Sequence, residues 1–161
     1  MLEFLTWLES STLGDTLRGL GVWTYGVPNL GHVLGLSVLF GSVLILDLRL
    51  LGVWRAMPLG QISRPTVPLA GIGFALAATS GICMLTVNGS EYYGNPFLLF
   101  KFTAIAVGLL NALVVASLPG WKAQHERELS SKEQKQLAVT GGISLLCWVT
   151  ALAAGRMIGY W

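Results

Sequence analysis

The sequence predicts an all-α integral membrane protein, an antiparallel four-helix bundle preceded by an amphipathic interfacial helix. Three observations carry this. Four apolar runs of about 20 residues follow one another, the length a helix needs to cross a bilayer core. Only 11% of the 161 residues are charged, against about 25% in a soluble domain. The chain also holds 20 glycines and six tryptophans, and membrane bundles use the first for close packing and the second at interfaces. The length allows one domain over residues 1–161.

Residues 2–20 read as one or two short helices lying on the membrane surface. Leu2, Leu5 and Leu8 share a face, as do Leu13, Leu17 and Leu20, with Glu3, Glu9, Asp15 and Arg18 between them. Thr12 with Asp15 resembles a capping box that starts a second helix. A cap packed on the bundle is the alternative. Glu3 and Glu9, with no basic leading region, do not fit a cleavable signal peptide.

The first span is expected over 28–48, opened by Pro28, where a missing N–H costs nothing. The second is expected over 66–88, with Pro58, Pro65 and Pro68 punctuating the connection before it and its first turn. The third is expected over 96–118, opened by Pro96 and ended by Pro119-Gly120. The fourth is expected over 139–161, after a helix restart at Ser130-Ser131-Lys132-Glu133.

Lys and Arg set the orientation. The first connection carries Arg49, Arg55 and Arg64, and the third carries Lys122, Arg127, Lys132 and Lys135. Both are therefore expected in the cytoplasm, with both termini periplasmic. Asp47 is expected to anchor its helix end by pairing with Arg49, Arg55 or another arginine. It lies 15 residues from His32, roughly 22 Å along a helix, so the two share no site within that helix.

Small residues recur at intervals of four: Gly31 and Gly35; Ser37 and Gly41; Gly73, Ala77 and Gly81; Ala104, Gly108, Ala112 and Ala116; Cys147, Ala151, Gly155 and Gly159. They let helices approach where lipid supplies no hydrophobic drive. Some of these stripes are open to another subunit, so a homo-oligomer or a membrane-complex partner is expected. Cys83 and Cys147 sit at different depths and are expected to be free packing residues.

Ionisable groups at membrane depth are functional hypotheses. His32, Lys101 and Arg156 lie on three different spans, each four or five residues from the outer end, roughly 6–8 Å deep. Met84 and Met157 share that layer, with Trp23, Tyr25, Tyr92, Tyr93, Tyr160 and Trp161 just above it. Asn111 lies deeper on about the Lys101 face, positioned to look inward or to bond a neighbouring helix. Lys and Arg near helix ends also snorkel to headgroups, and a lone histidine is commonly a packing residue.

Several functions compete. A haem b site would use His32 as axial ligand, Met84 or Met157 as the second, and Lys101 and Arg156 on the propionates. A bis-histidine haem would need a second copy of the chain, because His125 falls in a loop. A quinone-like ligand would be held by the cationic layer, giving the same electron-transfer role. A non-catalytic accessory subunit would use the polar groups for packing alone. A His/Met copper site at His32 and a membrane transporter of small molecules or metal ions are further readings. No catalytic constellation or phosphate loop occurs, so an enzyme is disfavoured. No basic stripe interleaved with aromatics occurs, so nucleic acid is not an expected partner. The lipid bilayer is.

The run Gly31-His32-Val33-Leu34-Gly35-Leu36 is followed by Gly41 and by Asp47-Leu48-Arg49-Leu50-Leu51-Gly52. With Asn95-Pro96-Phe97, Lys101, Asn111-Ala112-Leu113, Ala154-Gly155-Arg156 and Tyr160, it resembles a family of small bacterial inner-membrane proteins of unknown function. The resemblance spans nearly the whole chain and implies four transmembrane helices and an inner-membrane location, without an activity. Some members carry a further histidine near the end of the third span, where this chain has Val115, Ala116 and Ser117. That departure counts against a two-histidine haem.

Overall fold

The computed structural model describes residues 2–19, 21 and 23–161, with only the backbone of Phe4, Thr24, Tyr25 and Asn88. Leu20 and the Tyr25 side chain, named above, lie outside the described residues. Among those residues the regular structure is all helix: α1 (Leu2–Glu9), α2 (Thr12–Arg18), α3 (Trp23–Leu50), α4 (Leu59–Asn88), α5 (Pro96–Ser117), α6 (Pro119–Ala123) and α7 (Ser131–Met157). Short 3₁₀ segments follow α4 and α7. Four stretches are long and apolar enough to cross a membrane: Gly26–Leu50, Leu59–Val87, Pro96–Ser117 and Ser131–Tyr160. The shortest has 22 residues, about 33 Å of helix against a bilayer core of about 30 Å.

Helices and expected spans differ at their edges for identifiable reasons. Pro96 opens α5 as expected, but Pro28 lies inside α3 and Pro65 and Pro68 lie inside α4. Each ring removes one backbone hydrogen bond. Packing compensates in α4, where Leu59, Ile62, Ser63 and Thr66 are all buried and the spacing puts them on one face. The helix therefore starts directly after Pro58. The fourth helix starts at Ser131 because Ser130 and Glu133 form a reciprocal capping box, as the sequence predicts; the polar first turns lie before the apolar run. The second short helix does begin at Thr12, but its cap is Ser11, whose hydroxyl accepts from the Gly14 N–H.

The chain forms two compact units. One comprises Met1–Leu39 and Gly71–Asn95, the other Phe40–Ala70 and Pro96–Trp161. Within the first, α3 and α4 run antiparallel in close contact. A Cβ on Gly35 would lie 2.6 Å from the Ala77 nitrogen, and one on Gly73 would lie 2.4 Å from the Leu39 nitrogen. Neither site admits a side chain without moving backbone. The N-terminal helices pack on the end of α4. Leu5 is buried against Gly89, Glu9 accepts from the Ser90 N–H and hydroxyl, and Arg18 donates to the Thr86 carbonyl. Leu2, Trp7 and Leu13 remain exposed, the apolar surface an interfacial helix carries.

Within the second unit, Leu50, Leu59, Val115 and Leu137 form the core, and α5 packs along α7. Ala104 and Gly108 face α7, with Cys147 and Trp148 at Gly108. The predicted stripe does not persist, since Ala112 and Ala116 are exposed while Asn111 and Val115 are buried. Steps of four advance a straight helix by about 40° beyond a full turn, so two or three steps carry a residue off the contact face. The same drift exposes Gly159 and buries Ala154 on α7. Cys83 and Cys147 are free thiols.

Candidate functional site

Lys101 sits in the second turn of α5, half-buried inside an apolar span. Its stem and ammonium lie on α7, with Nζ 3.6 Å from where a Cβ on Gly155 would stand. Glycine at that position gives the side chain room to lie flat against the neighbouring helix. No hydrogen bond or ion pair to Lys101 occurs among the described residues. A shielded ammonium without a protein acceptor is costly. It calls for an oxygen from a ligand or from water.

Arg156 follows Gly155 directly. Its guanidinium lies over the Tyr160 ring, 4.7 Å from the centroid, and donates to the Tyr160 hydroxyl. The two cations thus share one end of the second unit. Met157 is 43% exposed beside them, and Tyr160 and Trp161 are exposed at that end, as an aromatic belt requires.

His32 belongs to the first unit. Its Nδ1–H donates to the Ala77 carbonyl at 2.8 Å, with the Ser80 hydroxyl 3.3 Å from the same nitrogen. The ring rests on Gly81, whose absent Cβ would lie 3.2 Å from Cε1. A carbonyl that accepts from Nδ1 fixes the orientation of the imidazole, as it does for many ligating histidines. Met84, on α4, is half-buried. Among the described residues no three His, Cys, Asp or Glu side chains group to hold a metal ion.

Asn111 bridges helices, donating from Nδ2 to the Thr140 carbonyl at 3.0 Å. Of its two expected roles, the structure shows the interhelical bond.

Asp47 departs from expectation. It is only 2% exposed and forms no ion pair with Arg49 or Arg55. The Ser144 hydroxyl hydrogen-bonds it, and Oδ2 is buried with no partner among the described residues. The reason was legible in the spacing. Two residues along a helix turn the side chain by about 200°, so Asp47 and Arg49 point apart. Arg49 instead donates from Nε to the Met57 carbonyl at 2.8 Å.

Four apolar helices of this length, packed through glycine and alanine and carrying a few shielded polar groups, define a multi-pass membrane protein. The whole chain from residue 4 to 161 matches the model of a family of unknown function, DUF6644, and the protein belongs to that family. No curated protein and no solved structure matches it.

Proposed function

We propose that this protein is a small bacterial inner-membrane subunit that binds a quinone-like ligand and serves electron transfer. The observation that carries the reading is the Lys101 ammonium, shielded in the membrane on Gly155 and supplied with no acceptor by its neighbours. A quinone carbonyl is an uncharged acceptor that fits an apolar span, and its reduced, anionic forms gain from the cation. Arg156 adds a second positive charge at the same end. Seven of the ten basic residues flank two connections, Arg49, Arg55 and Arg64 at the first and Lys122, Arg127, Lys132 and Lys135 at the third, which favours cytoplasmic loops there and periplasmic termini. Exposed Leu110, Leu113 and Leu146 are the apolar surface that lipid, or a partner helix, would cover.

A haem is the second reading, favoured by the orientation of His32. The Ala77 carbonyl accepts from Nδ1 and so orients the imidazole, the side-chain type that axial haem ligation uses. This rests on the first unit alone and needs nothing from Lys101.

Two measurements on the full chain, purified in lipid nanodiscs, test these readings. Bound quinone is extracted and quantified for the parent and for Lys101→Met, which keeps the bulk and removes the ammonium. Retention by the parent and its loss in the variant is the expected result; equal retention by both refutes the Lys101 site. Oxidised and reduced optical spectra test the haem. The absence of a Soret band, with haem supplied during expression, removes that reading. A spectrum unchanged by His32→Ala removes the ligand assignment. A colourless, quinone-free protein that co-purifies with another membrane protein is what an accessory subunit would give.

A further inference from the structure

The second unit carries a cleft of about 720 Å³ at the end opposite Lys101, formed by the 51–58 loop, the 124–129 segment and the start of α7. Its charged lining consists of Arg49, Arg55, Arg127 and Lys135 against Glu126 and Glu128. Arg127 is already satisfied by both carboxylate oxygens of Glu133, at 2.7 and 2.9 Å. The other three cations have no acid partner among the described residues. Arg49 and Arg55 are close enough for their charges to repel.

This arrangement is held in place by the backbone. Arg49 is anchored on the Met57 carbonyl. Arg55 folds back over Gly52, whose φ is +103°, and a Cβ there would lie 2.6 Å from the guanidinium Nε. Only glycine allows both the left-handed turn and the folded-back arginine. Two guanidinium groups and an ammonium line one cleft, none of them ion-paired among the described residues, an arrangement that an entering anion stabilises.

We propose that this cleft binds a phosphate group through Arg49, Arg55 and Lys135. Guanidinium forks match phosphate oxygens, and such charge-assisted bonds are the strong ones. The volume exceeds what a bare phosphate needs, and the floor includes Leu50, Leu59 and Leu137, so the phosphate would carry a substituent with apolar character. The cleft lies where three apolar helices end, which brings both a lipid headgroup and a soluble phosphate ester within reach. This site is separate from the Lys101 site and does not depend on it.

The full chain is tested with two probes. Native mass spectrometry counts phospholipid retained from nanodiscs of zwitterionic lipid with and without phosphatidylglycerol. Intrinsic tryptophan fluorescence follows titration with inorganic phosphate. Retention of phosphatidylglycerol assigns the lipid source, and saturable phosphate binding assigns the soluble one; either supports the site. Arg55→Ala and Lys135→Ala are each expected to weaken binding about tenfold or more, the loss of one charge-assisted contact. Arg55→Lys, which keeps the charge and the fold but loses the fork, is expected to fall between Arg55→Ala and the parent. Lys122→Ala, which removes an α6 cation outside the cleft lining, is the control and is expected to change binding less than twofold. Absence of both ligands overturns the proposal. So does an equal loss in Lys122→Ala and Arg55→Ala, which would mean that only the general charge of the loops attracts the anion.

Discussion

Replacing Gly73 by alanine tests whether glycine contact between α3 and α4 holds the first unit together. The added Cβ would stand 2.4 Å from the Leu39 nitrogen, 2.8 Å from the Gly35 oxygen and 2.9 Å from the Leu39 Cα. All three are backbone atoms, so no side-chain rotation relieves the clash. Ordinary carbon contacts begin near 3.4 Å, so the helices must separate locally by about 1 Å. A gap of that size forfeits about a quarter to a half of each dispersion contact along the seam, and it stretches the 2.8 Å bond from His32 to the Ala77 carbonyl. Overpacking of this kind costs about 1–3 kcal/mol. At about 2–4 °C per kcal/mol for a chain of this size, the melting midpoint in nanodiscs is expected to fall by about 2–12 °C. Gly71→Ala is the matched control in the same helix, since a Cβ there meets nothing within 4 Å. It is expected to leave the midpoint unchanged or raise it, because alanine is the better helix former by about 1 kcal/mol. Equal midpoints for the two variants would refute the close-contact argument.

Three further substitutions probe single contacts. Asn111→Leu removes the amide bond to the Thr140 carbonyl and is expected to cost about 0.6–1.7 kcal/mol; denaturant unfolding with no loss of stability would contradict a bridging role. Ser130→Ala breaks the capping box at the start of α7 and is expected to cost about 0.5–2 kcal/mol. Amide hydrogen exchange should then rise in the first turn of α7, and unchanged protection there would count against the cap. Asp47→Asn keeps the shape and the Ser144 contact but removes a carboxylate that has no ion pair among the described residues. It is expected to stabilise the protein by about 1 kcal/mol or more, and a lower melting midpoint would reveal a charge partner for the carboxylate.

What could be read in the sequence was whatever depends on one helix at a time. The four apolar runs follow from residue type and length alone. The capping box at Ser130 and Glu133 and the breaks at Pro96 and Pro119-Gly120 are local chemistry, and each appears in the fold as the residues predict. The depth shared by Lys101 and Arg156 is a matter of counting along antiparallel helices, and the contact of Lys101 with Gly155 agrees with it. Local rules failed where packing outweighed them. Pro65 and Pro68 do not end a helix whose buried face continues through them.

Tertiary structure alone decided which faces meet. A stripe of small residues spaced by four states that helices can approach, but the drift of an α-helix determines where the stripe leaves the seam. That is why Asn111 and Val115 are buried in place of Ala112 and Ala116. Packing likewise supplies Asp47 with Ser144, 97 positions on, as its neighbour. The same folding brings Arg49, Arg55 and Lys135 to one cleft and leaves Lys101 on Gly155. Sequence periodicity describes a helix about its own axis, whereas the partner of each buried polar group depends on the rotation of one helix against another.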